Sequence, residues 1–134
     1  MTPILVDSNV LLDILVGDPR WAPWSSTALA ALANEAVLVI NPLIYAEVSI
    51  RFESIEAVDE VIPTALYRRE EIPYSAAYLA GKAYVQYRRR GGRRRSQLPD
   101  FLIGAHAAIA GYRVLTRDAR RYRTYFPTVE LISP

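Results

Sequence analysis

The chain has 134 residues, of which 51% are hydrophobic and 22% charged, and a net charge of +2, values that are typical of one globular domain and exclude a disordered chain. It has no cysteine and a single histidine, His106, which excludes disulfide scaffolds, cysteine nucleophiles and zinc–thiolate sites and argues against His-rich metal sites and serine triads. No apolar run is long enough for a membrane span, and Asp7 and Asp13 interrupt the N-terminal one, so we expect residues 1–134 to form a single cytoplasmic domain.

The first part of the chain predicts two buried strands, each followed by helices. Residues 4–6 (ILV) predict a short strand, and a helix over 10–16 follows that Gly17 and Pro19 end. A second helix is predicted over about 25–34. Residues 36–40 are continuously apolar, as a strand covered on both faces should be. Asn41 and Pro42 then supply the N-cap and first residue of a helix that runs to about Phe52.

The second part predicts two helices over 55–70 and 75–90, with a kink or break at Pro63 in the first. Gly91 and Gly92 end the second. A helix is predicted from Leu98 to Gly111, a strand over 112–115, a short helix over 119–123 and a last strand over 128–132. This alternation of strands and helices predicts an α/β fold with a mostly parallel sheet and helices on both faces.

Four acidic side chains occupy suggestive places in this scheme. Asp7 follows the first strand, and Glu47 lies in the helix after the second strand. Asp100 opens a later helix, and Asp118 follows a later strand. In open α/β sheets the ligand crevice lies beyond the carboxyl ends of the strands, so Asp7 and Asp118 should converge there. The neighbours of Glu47 at i−4 and i+3 are Leu43 and Ile50, which predicts that Glu47 lies on or beside the inward face of its helix.

Gathered carboxylates repel one another and raise each other's pKa unless a cation lies among them. A hard divalent ion resolves this conflict, and the scarcity of nitrogen and sulfur ligands favours Mg²⁺ or Mn²⁺ over zinc. Such an ion activates water and neutralises charge on a phosphodiester, so the pattern predicts phosphodiester hydrolysis. Asn9 could orient a carboxylate through its amide, and Thr116 through its hydroxyl.

Each acid also has a purely structural interpretation. Asp7 could be a helix N-cap, Asp100 could favour a helix dipole, Asp118 could be a turn residue, and Glu47 could be a helix acid whose head reaches water. Taken singly, each of these structural interpretations is favoured. Taken together, the four acids favour a site.

Four segments, in this order, resemble the motif blocks of PIN-domain ribonucleases, above all the VapC toxins of prokaryotic toxin–antitoxin pairs. The segments are 6–13 (VDSNVLLD), 41–47 (NPLIYAE), 98–107 (LPDFLIGAHA) and 115–118 (LTRD). The likeness extends over nearly the whole chain, and it is weakest between Glu53 and Gln97, where no family motif is recognised.

The resemblance implies a PIN-like three-layer α/β/α sandwich with a mostly parallel central sheet. It implies an endoribonuclease that acts on RNA and serves as a toxin, commonly as a homodimer neutralised by a cognate VapB-like antitoxin. It also implies that an acidic quartet holds Mg²⁺ or Mn²⁺ and activates water, with two polar residues in support. The quartet would be Asp7, Glu47, Asp100 and Asp118, and the supporting residues Asn9 and Thr116.

Basic side chains are concentrated in the second half of the chain. Residues 1–67 have two basic and nine acidic side chains (−7), whereas residues 68–134 have fourteen basic and five acidic ones (+9). Six arginines lie within eight residues: Arg88, Arg89, Arg90, Arg93, Arg94 and Arg95. We predict that they contact RNA phosphates. The alternatives are a solvated helix C-terminus, where cations favour the macrodipole, and a surface for acidic residues of an antitoxin.

Four tyrosines precede the arginines: Tyr74, Tyr78, Tyr84 and Tyr87. Their helical spacing predicts packing or a dimer interface in preference to a platform for stacked bases. His106, on an apolar helix, is predicted to be a core or interface histidine.

Two other functions compete with the nuclease hypothesis. An aspartyl phosphatase also begins with an apolar strand followed by Asp, but it needs a second acid two residues later, where this chain has Asn9. The one lysine, Lys82, is also poorly placed for that chemistry because it does not follow a strand. The remaining alternative is a non-catalytic RNA- or antitoxin-binding module.

Overall fold

The structure, a computed structural model, describes residues 2–92 and 98–134. Within these residues five short strands alternate with seven helices. The strands are β1 (Ile4–Val6), β2 (Leu38–Ile40), β3 (Tyr67–Arg69), β4 (Arg113–Leu115) and β5 (Leu131–Ile132). The helices are α1 (Ser8–Val16), α2 (Ala22–Ala33), α3 (Pro42–Ser49), α4 (Ile55–Val61), α5 (Tyr74–Arg89), α6 (Leu98–Ala110) and α7 (Arg120–Tyr125).

All strand pairs in the sheet are parallel, in the order β3-β2-β1-β4-β5. Leu5 in β1 lies opposite Val39 on one side and Val114 on the other. Right-handed crossovers between parallel strands put α1–α4 on one face and α5–α7 on the other. This confirms the predicted α/β/α sandwich. The direction of winding reverses between β1 and β4, which makes that point the switch point of the sheet.

The core lies along the central strands and the helix α6. β1 and β2 are buried along their whole length, as the continuous apolar runs predict. α6 buries Phe101 and Ile103, and the small Ala76, Ala80 and Ala83 of α5 pack toward it. In the described residues no helix combines the length and the apolar character that a membrane crossing requires.

Gly104 lets α6 pack closely against the C-terminal region. A Cβ atom at this position would lie 2.4 Å from Cδ2 of Phe126 and 2.6 Å from its Cε2. Real Cβ atoms do not approach ring carbons so closely, and the Phe126 ring is itself buried. The glycine in the 98–107 segment is therefore a packing requirement of the fold.

The predicted start of α3 is confirmed. The Asn41 side chain accepts a hydrogen bond of 3.0 Å from the backbone N–H of Ile44, and Pro42 is the first helical residue. The Asn41 amide also lies 3.1 Å from Nδ1 of His106, which is buried in α6. His106 is thus a core histidine with a hydrogen-bond partner, as predicted.

The predicted helix over 55–70 is wrong in its second half. α4 ends at Val61, two residues before Pro63, and the chain then forms β3, which pairs in parallel with β2. Tyr67 is buried while Arg68 and Arg69 are exposed. The strand lies at the edge of the sheet, where few apolar residues are needed and charged ones are common. The apolar pattern of a buried strand is therefore absent from its sequence.

Candidate active site

A small pocket opens at the switch point between β1 and β4. Asp7 directly follows β1, Asp118 follows β4, and Asp100 lies in the first turn of α6. Six residues line the pocket: Asp7, Asn9, Asp100, Asp118, Arg121 and Tyr122. The structure thus brings three of the four predicted acids together at the carboxyl ends of adjacent parallel strands, where ligands bind in open α/β sheets.

Asp7 is the most buried of these acids, with 4% of its surface exposed. It is the N-cap residue of α1, but its side chain makes no capping hydrogen bond, so it does not serve as a helix cap. Its Oδ2 accepts hydrogen bonds from Tyr122 Oη at 2.8 Å and from Thr116 Oγ1 at 2.9 Å. Burial raises the pKa of Asp7, and the hydrogen bonds from Tyr122 and Thr116 oppose that rise.

Asn9 and Thr116 connect the start of α1 to the loop after β4. The Asn9 amide donates to Thr116 Oγ1 at 3.2 Å and to Asp7 Oδ2 at 3.4 Å, and its Oδ1 accepts from the backbone N–H of Arg117 at 3.3 Å. Thr116 Oγ1 also accepts from the backbone N–H of Asp118 at 3.1 Å. Both polar side chains that the resemblance singles out therefore contact the acids or their loop.

Asp100 is partly exposed and faces both a cation and other acids. Arg121 Nη1 lies 3.6 Å from its Oδ2. Burial raises the pKa of Asp100 to about 6, with a further contribution from the charge of Asp7. Arg121 lowers this pKa, whereas Glu47 and Asp118 raise it. The four predicted acids are therefore close enough to repel one another.

Glu47 stands apart from the other acids. It is not among the residues that line the pocket, and its Oε1 accepts a hydrogen bond of 2.8 Å from Ser8 Oγ. Burial raises the pKa of Glu47, the Ser8 hydrogen bond lowers it, and the charge of Asp7 raises it. Glu47 is half-buried, but Ile50, one of the two apolar neighbours on which its predicted inward position rested, is 83% exposed. Ser8, the residue after Asp7, links Glu47 to the start of α1.

The residues of this region suit a divalent cation in donor chemistry and charge. Their ligand atoms are carboxylate oxygens, which Mg²⁺ and Mn²⁺ prefer, and their mutual repulsion is the condition that such an ion relieves. Within residues 2–92 and 98–134, however, no three acidic or histidine side chains are gathered as one set of ligands. Asp100 is directed to Arg121 and Glu47 to Ser8, so these side chains would have to turn toward a common centre.

Three residues near the acids are absent from the sequence-based predictions. Tyr122 and Arg121 line the pocket, and Ser8 binds Glu47. Helical spacing offers a signal for Tyr122, because it follows Asp118 by four residues at the start of a predicted helix. No sequence pattern marks Arg121 among its neighbouring arginines.

An ion pair between the buried Asp13 and the partly exposed Arg117 supports the loop that carries Asp118. Arg117 Nε lies 2.8 Å from Oδ2 of Asp13, a residue that is 3% exposed. The same oxygen accepts a hydrogen bond of 3.0 Å from Ser25 Oγ. The Arg117 guanidinium lies over the ring of Trp21, 5.5 Å from its centroid. Because Arg117 is flanked by Thr116 and Asp118, the pair fixes the course of the loop.

The arginine segment begins at the end of α5. Arg88, Arg89 and Arg90 are exposed, and the Arg90 guanidinium lies 5.5 Å from the ring centroid of Tyr125. The other three predicted RNA contacts, Arg93, Arg94 and Arg95, lie outside the described residues.

The four tyrosines of α5 divide into two pairs. Tyr84 and Tyr87 pack against Phe101, with ring centroids 6.5 and 5.6 Å away, as predicted. Tyr74 and Tyr78 are 95% and 69% exposed, so the prediction that they pack is wrong within this chain. They lie on the face of α5 that points away from α6.

Comparisons with known proteins agree with this architecture. A family model described as "PIN domain" matches residues 4–127. The curated proteins include no significant match to the sequence. A chain in the structure of VapBC2 from Rickettsia felis bound to a promoter DNA fragment superposes with a TM-score of 0.74 at 14% identity, over 98% of each chain.

Two further solved structures are similar. The structure of VapBC-1 from nontypeable Haemophilus influenzae gives a TM-score of 0.73 at 13% identity, over 98% of this chain and 97% of that one. The structure of FitAcB from Neisseria gonorrhoeae gives a TM-score of 0.70 at 17% identity, over 96% of each chain. At these identities the likeness shows a shared fold.

Proposed function

The chain belongs to the PIN domain family, and we propose that it is a Mg²⁺- or Mn²⁺-dependent endoribonuclease that acts as the toxin of a toxin–antitoxin pair. PIN domains are generally nucleases and typically use divalent metal ions. The observation that carries the proposal is the pocket at the switch point, which three carboxylates line and whose Asp100 also feels the charge of Glu47.

Four residues would hold the metal: Asp7, Glu47, Asp100 and Asp118. A bound Mg²⁺ or Mn²⁺ supplies Lewis-acid chemistry and makes water a better nucleophile toward a phosphodiester. Thr116 and Tyr122 hold Asp7, the most buried of the four acids, in position. Asn9 joins Thr116 to the start of α1, so that β1 and β4 keep a constant distance across the pocket.

Two hydroxyl groups act on the same carboxylate oxygen. Tyr122 and Thr116 each donate to Oδ2 of Asp7, which favours the ionised form of that carboxylate against the effect of burial and leaves Oδ1 for the metal. Burial and the charge of Asp7 also raise the pKa of Tyr122 well above its usual range, so its hydroxyl remains a donor throughout the physiological pH range.

The toxin assignment and the protein partner rest on the solved structures. Several of the similar structures are those of VapBC or toxin–antitoxin complexes. We therefore propose a VapB-like antitoxin as the protein partner. The proposals of RNA as the substrate and of a homodimer follow from the resemblance of the four motif segments to VapC toxins.

The direct test is cleavage of RNA by purified, partner-free protein. A structured RNA pool would be incubated with Mn²⁺, Mg²⁺ or EDTA, and the products separated by electrophoresis. We expect cleavage that requires metal and is lost in Asp7→Asn and in Asp100→Asn. Glu35→Gln, which changes an exposed acid outside the pocket, is the matched control and should cleave like the wild type.

The same assay identifies the competing function. If the wild-type protein binds RNA without cutting it, and Asp7→Asn binds equally well, the chain is a non-catalytic binding module. Cleavage that persists in EDTA would contradict the metal-dependent mechanism.

A further inference from the structure

One face of α5 is exposed and differs in chemistry from the other. The inward face presents the small buried side chains Ala76 and Ala80 to α6. The outward face presents large side chains at intervals of four residues, Tyr74, Tyr78 and Lys82. Tyr74 and Tyr78 are 95% and 69% exposed and lie one helical turn apart, so their rings form one patch of a kind that marks binding surfaces.

The positive charge of this region indicates which class of partner it binds. Between Glu71 and Asp100 the sequence has seven basic residues and no acidic one. On the outward face the ammonium group of Lys82 lies 5.3 Å from the ring centroid of Tyr78. Aromatic rings interleaved with cations, without an acid among them, match the bases and phosphates of a single nucleic acid strand.

The C-terminal end of α5 lies beside the acidic pocket. Arg121 lines the pocket near Asp100, and its guanidinium lies 5.6 Å from the ring centroid of Tyr87 in the last turns of α5. Arg90, the residue after the helix, covers the ring of Tyr125 in α7. Arg89 follows Lys82 by seven residues and is exposed, so it carries the positive charge of the outward face to this end of the helix.

We infer that this surface, the α5 track, binds the single-stranded RNA that extends from the cleavage site. Phosphates would pair with the cations, while bases stack on the two exposed tyrosines. A helix of sixteen residues is about 24 Å long, enough for several nucleotides. The inference rests on the proposed nuclease function and adds the form of its substrate. The track consists of Tyr74, Tyr78, Lys82, Arg89, Arg90 and Arg121.

Binding can be measured separately from cleavage. We would titrate wild-type protein in EDTA into a fluorescently labelled, unstructured RNA of about 16 nucleotides and follow anisotropy. The double variant Tyr74→Ala/Tyr78→Ala should bind at least about tenfold more weakly. The double variant Tyr74→Phe/Tyr78→Phe keeps both rings and should bind like the wild type. Both tyrosines are exposed, so thermal unfolding should confirm that each variant is folded.

Salt dependence tests the cations of the track. The slope of log affinity against log salt concentration should fall by about 0.7 in Lys82→Gln, because one phosphate contact to a single strand is lost. Arg51→Gln removes an exposed arginine on a different element, and Leu66→Ala removes an exposed apolar side chain. Both controls should leave the affinity and the slope unchanged.

The possible outcomes separate this inference from the proposed function. RNA binding that depends on Tyr74 and Tyr78 in a protein that never cleaves RNA would support the track and contradict the nuclease. Metal-dependent cleavage by a protein whose tyrosine variants bind RNA normally would overturn the track. If the double alanine variant changes only from dimer to monomer in light scattering, a second copy of the chain occupies this face and the inference is wrong.

Discussion

The hydroxyl of Tyr122 lies 2.8 Å from Oδ2 of Asp7, and both side chains are buried although they are 115 residues apart in sequence. This contact joins α7 to the end of β1. It opposes the rise in the pKa of Asp7 that burial causes, and it does so from a residue outside the acidic set. Tyr122 therefore acts as a positioning residue for the proposed metal ligand.

Replacing Tyr122 by Phe should weaken divalent-metal binding most strongly at low pH. Without the hydrogen bond the pKa of Asp7 rises further, so protons compete better with the metal for this carboxylate. A hydrogen bond to a charged group contributes about 1.5 kcal/mol, roughly one pKa unit. We expect Mn²⁺ affinity in calorimetry to fall at pH 6, by at most about tenfold, and to fall less at pH 8. Tyr125→Phe, in the same helix, is the control; an equal loss at both pH values would contradict the explanation.

Asp100→Asn should make the metal-free protein more stable at neutral pH. The pKa of Asp100 is about 6 in the folded state and 3.8 in its ordinary state, so the folded chain holds this proton more tightly. The stabilisation that protonated Asp100 gives to the folded state is fully present below about pH 4 and is lost as pH rises through about 6. The shift alone corresponds to about 3 kcal/mol, but the side chain is 41% exposed. We therefore expect a gain of about 1 kcal/mol in the variant.

Thermal unfolding in EDTA at pH 4 and pH 7.5 measures this effect. The variant should exceed the wild type at pH 7.5 and equal it at pH 4. Saturating Mn²⁺ should reverse the order at pH 7.5, since only the wild type has the complete proposed ligand set. Parallel pH profiles for the two proteins would refute the assigned role of the Asp100 charge.

Removing Arg117, the partly exposed partner of the buried Asp13, should destabilise the protein. Arg117→Met leaves the Asp13 carboxylate buried with only Ser25 as its side-chain partner among the described residues, at a cost of about 3 kcal/mol in urea unfolding. The double variant Arg117→Met/Asp13→Leu removes both charges and should recover most of this loss. Glu130→Gln changes an acid that is 70% exposed and 3.6 Å from Arg113, and it should cost less than about 0.5 kcal/mol. A double variant as unstable as the single one would show that packing, and not charge, dominates.

Two glycine substitutions should act in opposite directions. Gly104→Ala places a methyl group against the buried Phe126 ring and should lower the free energy of unfolding by about 1–3 kcal/mol. Gly81→Ala, in the interior of α5 with no atom within 4 Å of the added carbon, should raise it by about 0.5 kcal/mol. Chemical denaturation measures both. If both variants change the free energy of unfolding by the same amount, backbone entropy alone explains the effect and the contact with the Phe126 ring does not contribute.

The apolar pattern of the sequence was sufficient to predict the strands and helix starts that form the core. The apolar segments Ile4–Val6 and Leu38–Ile40 predict central strands, and Asn41 followed by Pro42 predicts the start of α3. Local chemistry acts in each of these cases, because a buried strand needs apolar residues on both faces and a helix start needs an acceptor. The parallel arrangement follows from the helical crossovers.

Features that depend on distant residues could not be predicted in this way. β3 has one buried side chain, Tyr67, and its two arginines obscure the strand pattern. The contact of Tyr122 with Asp7 and that of Arg121 with Asp100 arise only when α7 packs over the switch point. Local patterns report burial and turns, whereas pairings across the chain are set by topology.

The sheet order has a consequence for synthesis on the ribosome. β1 can pair with β2 as soon as residues up to Ile40 have emerged, but its other neighbour, β4, is translated more than seventy residues later. A nascent chain therefore displays Asp7 without the hydroxyls of Thr116 and Tyr122 that fix it, and without Asp118. The pocket at the switch point is therefore complete only when nearly the whole chain has been translated.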